Sequence, residues 1–248
     1  MAVLKGALVS FTATGGLGLP PLPNVIVFQI NPESITHAWT EAGAPPTPQP
    51  QPNAPPVHVS ALAVTGNPGE SFSFTLMLDS DEQIADGDTD PVGAGLASVS
   101  GVYTRLAALE LLQFPTPSSA AGLVGQVSAA ASAAGMGASA SGSATQSVPA
   151  SQVPVVLFIW GPPRIVPVRV TALSVSEKLY DATLNPTHAE VQITLSVLTP
   201  QDLADVPDPM KTIAQTAYDY TQGLRQVQAL ANLAESAASI IGMLPTSL

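Results

Sequence analysis

The sequence predicts a mainly β fold with flanking helices. It reads as a strand-rich domain over residues 1–200 and a helical extension over 201–248. Three observations carry this. Residues 153–200 (VPVVLFIWGPPRIVPVRVTALSVSEKLYDATLNPTHAEVQITLSVLTP) look like three strands in succession, joined by a Trp-Gly-Pro-Pro corner and one tight return. Residues 69–79 alternate strictly, with Phe72, Phe74, Leu76 and Leu78 pointing one way and Ser73, Thr75, Met77 and Asp79 the other. Such a strand keeps one face in a core and one in a more polar setting. From Asp208 onward the apolar spacing changes to threes and fours, the period of a helix.

In chain order, residues 7–13 (ALVSFTA) are the first strand, broken by Gly15, Gly16 and Gly18. Residues 24–30 (NVIVFQI) form the second, with Val25, Val27 and Gln29 on one face and Ile26, Phe28 and Ile30 on the other. Asn31-Pro32 ends it, because proline supplies no donor and biases its predecessor away from helix. Residues 34–40 read as a short extension. Residues 43–56 (GAPPTPQPQPNAPP) are a polyproline loop or linker. The acidic run from Asp79 to Asp90 reads as a solvated strand-end loop.

Residues 98–113 are predicted as one helix, with Val102, Leu106 and Leu109 on a face, Leu112 alongside, Ser98 or Ser100 as cap and Pro115 as stop. Residues 115–152 are an Ala/Ser/Gly-rich insertion within the domain, because strands resume after it. Residues 153–160 are a near-continuous apolar run, as for a strand buried on both faces. The next strand, over 164–180, places Val166, Val168 and Val170 on one face and Arg169, Thr171 and Leu173 on the other, with Pro167 suited to an edge or bulge. Residues 189–199 alternate again, Val191, Ile193, Leu195 and Val197 against Glu190, Gln192, Thr194 and Ser196. In the last helix Asp208 and Pro209 suit the N-cap and first position. Its seam is read as Ile213, Ala217, Tyr220, Leu224, Val227, Ala231, Ala234, Ala238 and Ile241, facing its own domain or another subunit.

Composition bounds the function. Charged residues are 10% of the chain, against about 25% in a soluble domain, so much of the surface is expected to be buried against neighbours. With net charge −11 and seven Lys and Arg in total, the chain lacks the clustered cations of a nucleic-acid surface. It has no cysteine, which excludes disulfides and thiolate metal sites. No apolar run approaches a membrane span and the N-terminus makes no convincing signal peptide, so no membrane insertion and a cytoplasmic site of synthesis are expected. His37, His58 and His188 have no metal-ligand spacing, no GxSxG elbow is present, and the glycines at 15–18 lack a phosphate loop's lysine. Alternate carboxylates at Asp86, Asp88 and Asp90 invite calcium, but Pro91 follows where an EF-hand loop continues to its glutamate. No catalytic residue, cofactor or metal is expected.

Several segments in this order resemble the tube-like baseplate proteins of contractile injection systems, relatives of contractile phage tails. They are KGALVSF (5–11), IVFQINPESI (26–35), SFSFTLMLDS (71–80), the VLFIWGPP corner (156–163) and LYDATLNPTHAEVQITLSVLT (179–199). The FQINPES stretch and the FIWG corner are the most specific. The resemblance implies a tail-tube-like fold, an antiparallel β-sandwich or barrel-like domain, and a hexameric ring of identical copies whose sheets complete a barrel around a lumen. It implies a tube-initiator layer that joins the spike hub to the inner tube and touches other baseplate subunits in a virion-like particle. The LysM-like module that often follows in such proteins is not seen after Thr199; a helix takes its place. The residues expected to carry structure and assembly are Phe28, Asn31, Pro32, Phe72, Phe74, Trp160, Gly161, Thr194, Leu224 and Val227. The alternatives are an inner-tube subunit that stacks in many copies and a calcium-dependent binding module.

Overall fold

A computed structural model describes residues 4–12, 22–43, 60, 62–85, 91–114 and 153–243. The glycine break at 15–18, most of the Pro-rich stretch, the acids at 86–90 and the Ala/Ser/Gly-rich insertion lie outside the described residues. So do the side chains of Ala234, Ala238 and Ile241 on the expected seam.

The fold is mainly β with flanking helices, as expected. Seven strands form one antiparallel sheet: β1 (Ala7–Thr12), β2 (Leu22–Val27), β3 (Ile35–Thr40), β4 (Gly69–Asp79), β5 (Val156–Ile159), β6 (Ile165–Tyr180) and β7 (Pro186–Val197). Their order is β2-β1-β5-β6-β7-β4-β3, so β2 and β3 are the two ends. The sheet curls until its ends share a core: the Phe28 ring, just past β2, lies 5.6 Å from that of Phe74 in β4. Gln29 bridges the same gap, accepting from the Asp79 N–H (2.9 Å) and donating to the Asp79 carbonyl (2.5 Å).

The alternating strands bury the faces their sequence announces. Phe72, Phe74, Leu76 and Leu78 are buried in β4, opposite Val191, Ile193 and Leu195 in β7. Val156, Leu157 and Phe158 of β5 are all buried, which is why that run shows no alternation. Pro167 sits just past the last β6–β7 pair, Val168↔Val197; its carbonyl accepts from the Leu198 N–H (2.8 Å), and it has no N–H to return.

Two strand readings need correction. Residues 35–40 are not an extension of the second strand but the separate strand β3, antiparallel to β4. In β6 a bulge between Val170 and Ala172 shifts the phase by one residue. Leu173 therefore turns from the Arg169/Thr171 face to the core, opposite Ile193.

The helices also depart from the expected bounds. Where a solvated loop was expected, α1 (Ser80–Ala85) continues directly from β4. The single helix over 98–113 is two, α2 (Pro91–Ser100) and α3 (Tyr103–Glu110), meeting at 97°. Gly101 makes the corner at φ 58°, a left-handed conformation that glycine adopts without steric cost and that ends helices. Ser98 and Ser100 are not caps; they donate back to the Gly95 and Leu96 carbonyls. The α3 face of Leu106 and Leu109, with Val102 and Leu112 flanking it, is fully buried. A Cβ at Gly101 would overlap the Pro186 carbonyl. Gly101→Ala is thus expected to cost about 1 kcal/mol for the backbone and more for the overlap, read as a lower thermal midpoint.

The long C-terminal helix α4 (Met210–Met243) packs along β6. Its inner face is not the predicted seam. Ala214, Ala217, Tyr218 and Thr221 are buried, whereas Tyr220 and Val227 are exposed. The seam is rotated by about one residue because two polar side chains turn inward to meet partners. Thr221 Oγ1 accepts from the Ile165 N–H (3.2 Å) and donates to the Ile165 carbonyl (2.7 Å). It thereby occupies the side of β6 that β7 has already left. Arg225 is the second.

Candidate assembly surface

The sheet has two unlike faces. The core face holds Phe28, Phe72, Phe74 and Trp160, four of the residues expected to carry assembly. They join Phe158 in one aromatic cluster, with Phe72–Phe158 at 5.3 Å, Phe74–Phe158 at 5.5 Å and Phe28–Trp160 at 6.3 Å. Their role is to fix the curl. Gly161 turns the Trp-Gly-Pro-Pro corner at φ 74°, and Trp160 N–H closes it on the Arg164 carbonyl (2.8 Å). Asn31 ties the loop after β2 to the N-terminal segment. Its Oδ1 accepts from the Gly6 N–H (2.9 Å) and its Nδ2 donates to the Leu4 carbonyl (2.8 Å).

The other face is polar. Thr194 lies there, its hydroxyl 3.0 Å from that of Ser73 across the β4–β7 pair. An open groove of about 640 Å³ runs beside it, between the loop at Asn31, Pro32 and Glu33 and the strand residues Thr75, Met77 and Gln192. Pro32 walls this groove. The structure does not bring Leu224 and Val227 to either face: Leu224 is half-buried on α4 and Val227 is exposed beyond it.

At the end of the sheet under α4 lies a charge cluster that sequence reasoning missed. Glu70 is buried, with its side chain 3% exposed. Arg225 of α4 clamps it with both terminal nitrogens, Nη1 to Oε2 at 3.0 Å and Nη2 to Oε1. His37 of β3 donates from Nε2 to Oε1 at 2.8 Å. The Arg225 guanidinium also lies 4.9 Å above the Trp39 ring. Arg164 sits 5.2 Å from the centre of the Phe72 ring. Burial, and then the Arg225 charge, push the Arg164 guanidinium down from its usual value, while Glu70 pulls it back. This cluster fastens α4 to β3 and β4 and has the chemistry of a lock. The signal was present in the sequence, since Glu70 is in phase with Phe72, Phe74, Leu76 and Leu78 and therefore shares their buried face.

The β6–β7 return is fixed by Asp181. Its Oδ1 accepts from the Asn185 N–H (2.9 Å), the Thr183 hydroxyl (2.8 Å) and the Thr183 N–H (2.7 Å). These bonds, the Asn185 N–H foremost, hold its carboxyl down at about 2. A depressed carboxyl stabilises the fold above the ordinary carboxylate range and loses that contribution as pH falls through about 2. A carboxyl NMR titration is expected to find Asp181 still ionised below the ordinary aspartate range. Glu190 is likewise lowered, by its pair with Lys178.

Among the described residues no group of three or more His, Asp or Glu side chains is placed to hold a metal ion. Set beside known protein families and curated proteins, the chain matches none of them.

Proposed function

We propose that the chain is a structural subunit of a contractile injection system, a baseplate or tube-initiator protein. Its copies close into a ring that joins the spike hub to the inner tube. The single observation that carries this reading is the state of the two edge strands. Neither β2 (LPNVIV) nor β3 (ITHAWT) holds a charged residue, and both expose large apolar side chains: Val25 is 52% exposed, Val27 47% and Trp39 49%. Among the described residues no strand pairs with the outer side of either. Natural edges are guarded by charge, bulges or a covering element; here Pro23 stands in β2, α3 touches β2, and Arg225 of α4 lies over Trp39 of β3. An uncharged edge at each end of one sheet suits head-to-tail pairing, and such pairing closes when the rotation between copies allows it.

In that ring the polar face of Ser73, Thr75, Gln192 and Thr194 lines an aqueous lumen, and the aromatic cluster holds each subunit's curl. The order of the matching segments, from KGALVSF to the last hairpin, supports the same reading. Sedimentation velocity tests it: the 25.2 kDa chain is expected to run as a closed oligomer of defined mass. The double variant Val25→Lys with Ala38→Lys, both on exposed edge positions, should stay folded and fall to monomer. A wild-type monomer at all concentrations would sink the reading.

A further inference from the structure

The tip of the β6–β7 hairpin holds a contradiction that folding alone does not explain. Leu179 and Leu184 both have left-handed backbone, φ 53° and 66°. Glycine or asparagine adopts that conformation readily, and a branched apolar residue is strained in it. Both side chains also point into solvent, 72% and 75% exposed, with Tyr180 beside them at 55%. The turn between them is not loose, since Asp181 pins Thr183 and Asn185. Two leucines therefore oppose the backbone and the solvent at once, on a rigid support. Strain held in place by its surroundings is a mark of function.

The tip is continuous with a second exposed apolar element. Asn185 Nδ2 donates to the Val99 carbonyl at the end of α2 (3.0 Å), and Val102 N–H to the Pro186 carbonyl (3.0 Å). Val92 and Val99 of α2 are 71% and 75% exposed. The charge on the elements that carry this patch is mainly negative. Asp81 and Glu82 lie on α1, which packs on α2, and Glu177 and Asp181 lie at the tip. The two cations there are both engaged: Lys178 is held by Glu190 at 2.5 Å, and Arg105 of α3 donates to Gln83 of α1 at 3.0 Å.

We infer that this end of the molecule docks a different protein, one that presents an apolar centre within a cationic rim. A second copy meeting it through the same face does not fit, because it would bring the same carboxylates to the contact. The chain has only seven Lys and Arg in all, and Arg164 and Arg225 are turned toward Phe72 and Glu70. The inference deepens the ring reading, on which it rests for the existence of a neighbouring layer, and assigns one pole of the subunit to an unlike, basic partner.

The test uses the full chain and a labelled amphipathic peptide of leucine and lysine at helical spacing. The peptide is expected to bind, more weakly as salt rises. Affinity should fall by about tenfold or more in Leu179→Asn/Leu184→Asn, a variant whose new residues suit the positive φ and so keep the fold. A leucine–glutamate peptide of the same pattern should not bind. Equal binding of the glutamate peptide, undiminished binding by the Asn variant, or equal binding to neutral phosphatidylcholine vesicles would each overturn the inference. So would loss of wild-type self-association in the Asn variant, which would make the patch a contact between copies. Oligomer mass read on the same samples separates the two claims: peptide binding by a monomer would keep this inference and remove the ring.

Discussion

Glu70→Ala is expected to lower stability by about 3 kcal/mol, because it removes the buried acceptor of charge-assisted bonds worth about 1.5–3 kcal/mol each and leaves the half-buried Arg225 without its carboxylate. Glu70 accepts both arms of Arg225 and the His37 ring, and Arg164 lies within its field. For a chain of this size that loss corresponds to a fall in thermal midpoint of roughly 10 °C. Glu70→Gln keeps the shape but not the charge, and should fall between. The control is a double-mutant cycle with Arg225→Gln, in which neighbours sharing one network should show a coupling of about 1 kcal/mol or more. If the two single changes simply add, Arg225 is a surface residue and α4 is held by Thr221 and its alanines alone. Arg225→Gln should also loosen the helix beyond it, where Gln226 to Leu233 are exposed, and hydrogen exchange there reads that directly.

Charge on the two faces of β7 should have opposite consequences. Ile193 is 0% exposed and faces Phe74 across the β4 pair. Ile193→Glu puts a carboxylate into the aromatic core without a partner, a cost of several kcal/mol that unfolds the subunit or forces the acid to stay protonated. Thr194, one residue on, faces the polar side beside Ser73. Thr194→Glu should leave the circular dichroism spectrum and midpoint within about 1 kcal/mol of wild type. If Thr194→Glu unfolds the chain as badly as Ile193→Glu, the polar face is not a solvent face and no lumen can be built from it.

Much of this fold was legible because alternation is a local property. The faces of β4 and β7, the doubly buried β5 and the buried side of α3 all follow from which residues sit two, or three and four, apart. What was not legible depends on partners distant in sequence. Nothing around Val170 announces the bulge that sends Leu173 to the core; it arises where β6 must match β7. Gly101 lay inside a helical pattern and was read through, although its freedom from a Cβ is what lets the chain turn under Pro186. The α4 seam was drawn through the apolar residues, and the true inner face holds Thr221 and Arg225. A periodicity argument turns polar residues outward unless it knows that Ile165 offers a bare backbone edge and Glu70 a buried carboxylate. The gathering of Phe28, Phe72, Phe74 and Trp160 into one cluster was not legible for a related reason. The curl brings Phe28, just past β2, to Phe74 in β4, five places away in the sheet order, and no local pattern shows that.

The central claim is that the bare edges at β2 and β3 meet between copies around a lumen. Electron imaging of the purified chain tests it most directly. The account predicts single-layer rings of uniform diameter with a central hole, lost in Val25→Lys/Ala38→Lys while that variant stays folded. Discrete solid particles of one subunit would contradict it, and long tubes would contradict the initiator layer in favour of a stacking tube subunit.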